Sequence, residues 1–190
     1  MDDMNTPTSD SIIQSHVIFG MTAGAIPLPL VDFVAISAIQ IDLIRELAKR
    51  HAVDFNANLG TSLVSSLAGT SLAKIGASAV KAIPGVGTAL GIGAQVLLAG
   101  ATTYALGRVF DSHFARGGTL ANFNVDAMRR SYDEMVDTGK EFAQSLRKGA
   151  SKKEDILATI EKLAELRARG AISEDDFETT KKKLLDSLVA

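Results

Sequence analysis

The chain contains no cysteine and no tryptophan, and aromatic residues make up only 5% of its 190 residues. The absence of cysteine excludes disulfide bonds, thiolate metal sites and cysteine nucleophiles. The net charge of -2 lacks the basic excess that is typical of nucleic-acid-binding proteins, so no nucleic-acid partner is predicted. A hydrophobic content of 46% excludes a disordered chain. The composition therefore predicts a folded protein with a core of small and aliphatic side chains.

Charged residues are distributed unevenly along the chain. Residues 108–190 carry 15 Lys and Arg and 15 Asp and Glu, whereas residues 1–107 carry 5 and 7. Eleven of the 16 glycines also precede residue 108. We therefore expect an apolar, glycine-rich domain followed by a charged helical region. The polar, acidic first residues lack the basic segment of a secretion signal, so a cytoplasmic location, or the cytoplasmic face of the inner membrane, is expected.

The pattern predicts an all-α fold. A polar tail, residues 1–10, precedes an apolar helical domain, residues 11–118, which contains helices at 11–26, about 29–50, 61–82 and 87–115. These helices form two hairpins, because each pair is separated by a proline-containing turn. The four predicted turn residues are Pro27, Pro29, Pro84 and Gly85.

The remaining chain is typical of water-exposed helices. An amphipathic connecting helix is predicted within residues 119–148, capped by Asn124. Residues 149–190 are predicted to form a small helical hairpin, in which Gly170 ends the first helix and Ser173 caps the second. So small a unit buries little surface and usually requires a partner.

Residues 161–185, EKLAELRARGAISEDDFETTKKKLL, resemble the short C-terminal (SHOCT) domain. The shared pattern is an apolar helix, a Gly-hydrophobic-Ser turn, and an acidic-Phe helix that ends in Lys-x-x-Leu-Leu, and it extends over about residues 152–188. The resemblance implies a non-catalytic domain that mediates oligomerisation or other contacts. The residues expected to make these contacts are apolar: Ile160, Leu163, Leu166, Phe177, Leu184 and Leu185.

Residues 12–116 resemble a bacterial helical domain of unknown function that occurs beside, or fused to, Era-like GTPases and is related to the YcjF-type inner-membrane proteins. Four segments carry this resemblance: IPLPLVD (26–32), QIDLIRELA (40–48), KAIPGVG (81–87) and TYALGR (103–108). The resemblance implies a helical, membrane-linked module that acts with a GTPase. Because this chain has no GTPase domain of its own, the GTPase would be a partner supplied in trans.

No catalytic or cofactor motif is predicted. The glycines from Gly85 to Gly91 lack the Gly-Lys-Ser/Thr of a phosphate-binding loop and follow a helix rather than a strand. His16, His51 and His113 have neither metal-ligand spacing nor a carboxylate at the i,i+4 position. Because no nucleophile, base and orienting group can be combined, the sequence predicts no enzyme, no cofactor and no metal.

Asp32 and Gln40 are the polar residues of interest in the second predicted helix. They are eight positions apart and so lie near one helix face. If buried, both require hydrogen-bond partners, either from neighbouring helices or from a partner or ion. An enzymatic interpretation would have to combine them with a histidine.

The relation to the membrane is left open by the sequence. Residues 82–107 are uncharged and as long as a spanning helix, whereas prolines interrupt residues 17–31 and polar residues interrupt 55–73. The favoured function is a non-catalytic bacterial membrane-associated module that self-assembles and acts with a GTPase. The alternative is a soluble all-α scaffold that forms a large homo-oligomer without contact to lipid.

Overall fold

The computed structural model describes residues 7–25, 31–79, 87–149 and 152–189. These residues form seven α-helices and no strand, which confirms the predicted all-α fold. In chain order the helices are α1 (Ser9–Ala23), α2 (Val31–Arg50), α3 (Ala57–Ala79), α4 (Gly87–Ala115), α5 (Val125–Gly149), α6 (Lys152–Ala168) and α7 (Glu174–Val189). The predicted turn residues, Pro27, Pro29, Pro84 and Gly85, lie outside the described residues.

Three predicted helix ends are confirmed by the local hydrogen bonds or backbone angles. The side chain of Asn124 accepts a hydrogen bond from the N–H of Ala127 at 3.0 Å, and that of Ser173 accepts one from Asp176 at 3.1 Å. Gly170 follows α6 with φ of 71°, a left-handed conformation that favours glycine. These ends depend on local chemistry, which is why the sequence predicted them.

Two predicted helix starts were too late. Helix α1 begins at residue 9 rather than 11, because Thr8 Oγ1 accepts a hydrogen bond from the N–H of Ser11. Helix α3 begins at residue 57 rather than 61, because Asn56 Oδ1 accepts one from Leu59 at 3.0 Å. In both cases the cap was overlooked, so polar residues of the first turn were assigned to a tail or a loop.

Helix α4 has α1, α2, α3 and α5 packed around it. Helix α1 runs antiparallel to α4, because Asp10 pairs with Arg108 while Gly24 lies against Ala99. Helix α2 runs parallel to α4, because Gln40 contacts Thr103 and, further along both helices, His51 contacts Asp111. After the connection at residues 51–56, α3 runs back toward the end of the bundle where α4 begins, and α3 also contacts α4.

This arrangement separates the bundle into two unlike ends. The helix ends that flank residues 26–30 and 80–86 lie toward one end, which we call the apolar end, since the uncharged stretch 17–31 ends there and the uncharged stretch 82–107 begins there, with Asp32 and Lys81 as the adjoining charged residues. Two pairs, Asp10 with Arg108 and His51 with Asp111, lie toward the other end, the polar end. Among the described residues, no helix has both the length and the apolar character needed to cross a membrane.

The amphipathic helix α5, whose apolar stripe could pack either on the apolar domain or on a partner helix, packs on the apolar domain. Tyr132, Val136 and Ala143 of its apolar stripe are buried in the main hydrophobic core with residues of α1 to α4. Its outer side carries the predicted solvated ion pairs, such as Lys140 with Asp137 at 2.7 Å. Such exposed pairs contribute little to stability, so burial of the stripe holds α5 in place.

The closest approach of α4 and α5 requires a glycine. A Cβ atom at Gly139 would lie 2.7 Å from the carbonyl oxygen of Ala101. We therefore expect Gly139→Ala to lower the free energy of unfolding by about 1–3 kcal/mol through overpacking. Gly69→Ala in α3, where a Cβ would have no atom within 4 Å, is the control and should raise it by up to about 1 kcal/mol through helix propensity. Urea unfolding followed by circular dichroism measures both, and equal effects would contradict the close packing.

Candidate functional site

Charged side chains are buried between α1, α2 and α6. Asp42 and Glu46 stand four residues apart on α2 and so share one helix face. His16 of α1 lies against them, with Nε2 at 3.3 Å from Asp42 Oδ2 and 3.9 Å from Glu46 Oε1. Its other ring nitrogen, Nδ1, donates to the carbonyl oxygen of Ile12 at 2.8 Å, which fixes the ring. The side chains of His16 and Asp42 are only 1% and 2% exposed.

The C-terminal hairpin, α6 and α7, supplies the positive charges. Lys162 Nζ lies 2.7 Å from Asp42 Oδ2 and 2.6 Å from Glu46 Oε1. Arg169, just after α6, donates from Nη2 to Asp42 Oδ1 at 2.5 Å. We call these five residues, His16, Asp42, Glu46, Lys162 and Arg169, the ion cluster. Both oxygens of Asp42 thereby contact charged partners from the hairpin.

The contacts within the cluster hold Asp42 and Lys162 in their charged forms. Burial by itself would raise the pKa of Asp42, but hydrogen bonds from His16 and Lys162 and the charge of Lys162 outweigh it and hold that pKa well below the usual range. Burial would likewise lower the pKa of Lys162, but its hydrogen bonds to Asp42 and Glu46 raise it above the ordinary value. A carboxylate and an ammonium held in this way are unsuited to exchanging protons near neutral pH.

The same donors include a set that could hold a metal. His16 Nε2 and one oxygen each of Asp42 and Glu46 lie within 4.8 Å of one another, and a nitrogen with two carboxylate oxygens suits a divalent cation. The ammonium of Lys162 already contacts both carboxylates at hydrogen-bond distance. In this structure the cluster therefore acts as a set of ion pairs that joins the hairpin to the bundle.

A cavity of about 290 Å³ opens beside the cluster, between α1 and α6. Its lining includes His16, Glu46 and Lys162 of the cluster, together with Glu161 and Glu165. The side chain of Glu46 is 33% exposed, whereas that of Asp42 is 2% exposed. Solvent therefore reaches one side of the cluster, and the opening is acidic.

The two polar residues predicted from the second helix have different outcomes. Gln40 is buried, and its Nε2 donates to the hydroxyls of Thr102 at 3.1 Å and Thr103 at 3.3 Å on α4. Both hydroxyls in turn donate to the carbonyl oxygen of Ala99. Of the two predicted alternatives, these contacts favour a hydrogen bond between helices. Asp32 lies in α2, but its side chain is outside the part of the chain that the structure describes.

Most hairpin residues predicted to mediate oligomerisation pack within the chain instead. Leu163, Leu166, Phe177 and Leu184 are buried and Ile160 is partly buried, in one cluster with apolar residues of α2. The partner that so small a hairpin requires is thus found in the same chain. Leu185 is 39% exposed and remains available for contacts between chains.

The ion cluster was missed by sequence reasoning. His16 has no carboxylate four residues away in its own helix, and its partners Asp42 and Glu46 lie 26 and 30 residues further along the chain. A signal was present, because Asp42 interrupts an apolar run of α2 and Lys162 stands between Ile160 and Leu163 in α6. A charged residue on an apolar helix face predicts a buried partner of opposite charge.

The comparisons with known proteins confirm a SHOCT domain that follows a helical domain of unknown function. The model of the short C-terminal (SHOCT) domain matches residues 158–185. A curated relative, Magnetosome membrane protein 22 of Magnetospirillum gryphiswaldense, is 36% identical over 157 residues, which cover 79% of this chain and 80% of that protein. No solved structure matches the chain. The family model described as a domain of unknown function, DUF697, matches residues 8–141, and the chain therefore belongs to the DUF697 family and carries a SHOCT domain after it.

Proposed function

We propose that this chain is a non-catalytic, membrane-associated helical protein whose bundle contacts the bilayer at its apolar end. The separation of the two ends carries this proposal. The uncharged stretch 17–31 ends, and the uncharged stretch 82–107 begins, at the helix ends on one side of the bundle, while the pairs Asp10–Arg108 and His51–Asp111 lie toward the other. Long uncharged stretches that meet at one end of a bundle, with few charged residues such as Asp32 and Lys81 beside them, suit a protein that inserts partway into the interfacial region of a bilayer.

Two further observations support the proposal. The relative from Magnetospirillum gryphiswaldense bears the name of a membrane protein and aligns with most of this chain. The buried ionisable groups Asp42 and Lys162 are held in their charged forms by each other, an arrangement typical of structural ion pairs rather than of acid–base catalysts.

The proposal includes self-assembly and a GTPase partner in trans. Self-assembly is supported by two leucines of the C-terminal hairpin, Leu157 at 48% and Leu185 at 39% exposure, which lie on α6 and α7. Apolar side chains exposed on a small hairpin are suited to contacts with another chain. The GTPase partner is supported by the family resemblance of residues 12–116.

Vesicle flotation tests the proposed membrane contact. The purified full chain should float with phosphatidylcholine vesicles, and Leu28→Asp, in the uncharged connection between α1 and α2, should reduce the bound fraction several-fold because a charge opposes insertion. The matched control is Leu59→Asp, which makes the same change at a 42% exposed leucine in the first turn of α3, toward the polar end. Leu59→Asp should float like the unsubstituted chain.

The outcomes separate the proposal from the alternative scaffold. Equal flotation of the two variants would contradict contact through the apolar end. If the unsubstituted chain stays unbound and light scattering shows a single large assembly, the soluble all-α scaffold would replace the membrane-associated module.

A further inference from the structure

The C-terminal hairpin is a separate unit docked on one side of the bundle. Among the described helices, the backbones of α6 and α7 approach those of α1 and α2 and of no other helix of the bundle. The covalent connection is short, since α5 ends at Gly149 and α6 begins at Lys152. The docked position of the hairpin therefore depends on its contacts with α1 and α2 and not on packing against the helix that precedes it.

The hairpin covers an apolar surface of α2. Ala35, Ile36, Ala38 and Ile39 are at most 4% exposed and belong to the same hydrophobic cluster as the buried leucines of the hairpin. These four residues occupy the first part of α2, the helix that begins at Val31 beside the apolar end. If the hairpin moved away, the apolar end would be extended along α2 by this surface.

The ion cluster fixes the hairpin over that surface. Lys162 and Arg169 bind Asp42 and Glu46, which stand on α2 directly after the apolar surface. These ion pairs add little net free energy to docking, because both partners lose hydration when they are buried. If one partner is removed, however, the other is left buried without a counter-charge, which opposes docking strongly. The cavity lined by Glu46, Glu161 and Glu165 leaves one side of the cluster open to solvent, so water and ions can reach the pairs while the hairpin is docked.

We infer that the C-terminal hairpin is a releasable cap, locked by the ion cluster, that covers the apolar surface of α2 and limits how much of the bundle can contact a membrane. This inference rests on the proposed function. The docked hairpin packs on the face of α2 that carries Asp42, and its release makes Ala35, Ala38 and Ile39 of that face available to the bilayer. The chain therefore binds membranes more weakly with the hairpin docked than with it released.

A charge reversal on the hairpin tests the cap without changing the bundle. Lys162→Glu with Arg169→Glu places like charges against Asp42 and Glu46 and leaves the sequence of α1 to α5 unaltered. The matched control is Lys153→Glu with Lys182→Glu, which changes the net charge of the same hairpin equally at two exposed lysines. Neutral phosphatidylcholine vesicles keep long-range charge effects small.

Two readouts are needed. Hydrogen exchange in α6 and α7 should accelerate by roughly two orders of magnitude in the reversal variant, because each step of about 1.4 kcal/mol is tenfold and the loss of buried charge partners exceeds two such steps. Exchange in α4 and α5 should stay unchanged, which shows that the bundle remains folded. The fraction of the variant that floats with vesicles should rise several-fold, whereas the control should match the unsubstituted chain in both readouts.

Each other outcome has a definite meaning. Unchanged exchange in α6 and α7 would show that the ion cluster does not hold the hairpin on the bundle. If exchange becomes faster but flotation is unchanged, in a chain that floats before substitution, the hairpin does not limit contact with the membrane and the inference is wrong. If neither the unsubstituted chain nor any variant floats, the proposed function fails and the cap with it, while the exchange data still report whether the ion cluster holds the hairpin.

Discussion

Lys162→Met should lower the free energy that holds the C-terminal hairpin on the bundle by about 3 kcal/mol. Methionine keeps the unbranched apolar stem of lysine but removes the ammonium. Asp42, whose side chain is 2% exposed, then loses its contact at 2.7 Å, and Glu46 loses its contact at 2.6 Å. Removing one cation from a buried carboxylate costs more than the intact pair contributes, and because Arg169 and His16 still contact Asp42 the loss lies at the low end of the range for broken buried pairs. The exchange rates of α6 amides measure this loss.

A surface ion pair provides the control for this prediction. Lys140→Met removes the partner of Asp137, but those side chains are 51% and 78% exposed, so the effect should stay below about 1 kcal/mol. The double variant Asp42→Asn with Lys162→Met should recover part of the loss, because no buried carboxylate then lacks the ammonium, and the guanidinium of Arg169, which is 35% exposed, stays in contact with water. If Lys162→Met and Lys140→Met had equal effects, the ion cluster would not hold the hairpin.

Features that depend on neighbouring residues were predicted well from the sequence. The cap residues Asn124 and Ser173 and the helix-ending Gly170 act within a single turn, so the residue type and its position suffice. The apolar stripe of α5 was equally readable, because a period near 3.6 residues identifies the buried side of a helix. The missed caps Thr8 and Asn56 belong to the same class and could have been found by the same rule.

The candidate site could not be predicted because it depends on how distant helices meet. Asp42 and Lys162 are separated by 120 positions in the chain, and nothing local to either residue specifies the other. The order in which α1, α2 and α6 pack decides which charges meet, and that order follows from burial of the apolar surfaces as a whole. The sequence could show that Asp42 needs a partner, but the fold determines that this partner is Lys162.

The same pairing predicts how acid affects the docked hairpin. The pKa of Asp42 is lower in the folded chain than in the unfolded chain, where it is about 4. The contribution of Asp42 to the stability of the docked hairpin is therefore complete above that pH and is lost as the pH falls through the folded pKa. The pKa of Lys162 is raised above 10.5, so its contribution is complete below 10.5 and is lost only as the pH rises through its folded value. Between these limits neither group should make the docking pH-dependent.

Asp42→Asn separates this effect from the titration of other carboxylates. At neutral pH the variant should hold its hairpin more weakly than the unsubstituted chain, because asparagine carries no charge for Lys162 and Arg169. As the pH falls below about 4, Asp42 takes up a proton first in chains whose hairpin is released and only at lower pH in docked chains, so the difference between the two proteins should shrink progressively. Hydrogen exchange of α6 amides, corrected for the intrinsic exchange rate at each pH, gives the difference. A difference that stays constant from neutral to strongly acidic pH would show that the charge of Asp42 does not hold the hairpin, since protonation removes the same charge that the substitution removes.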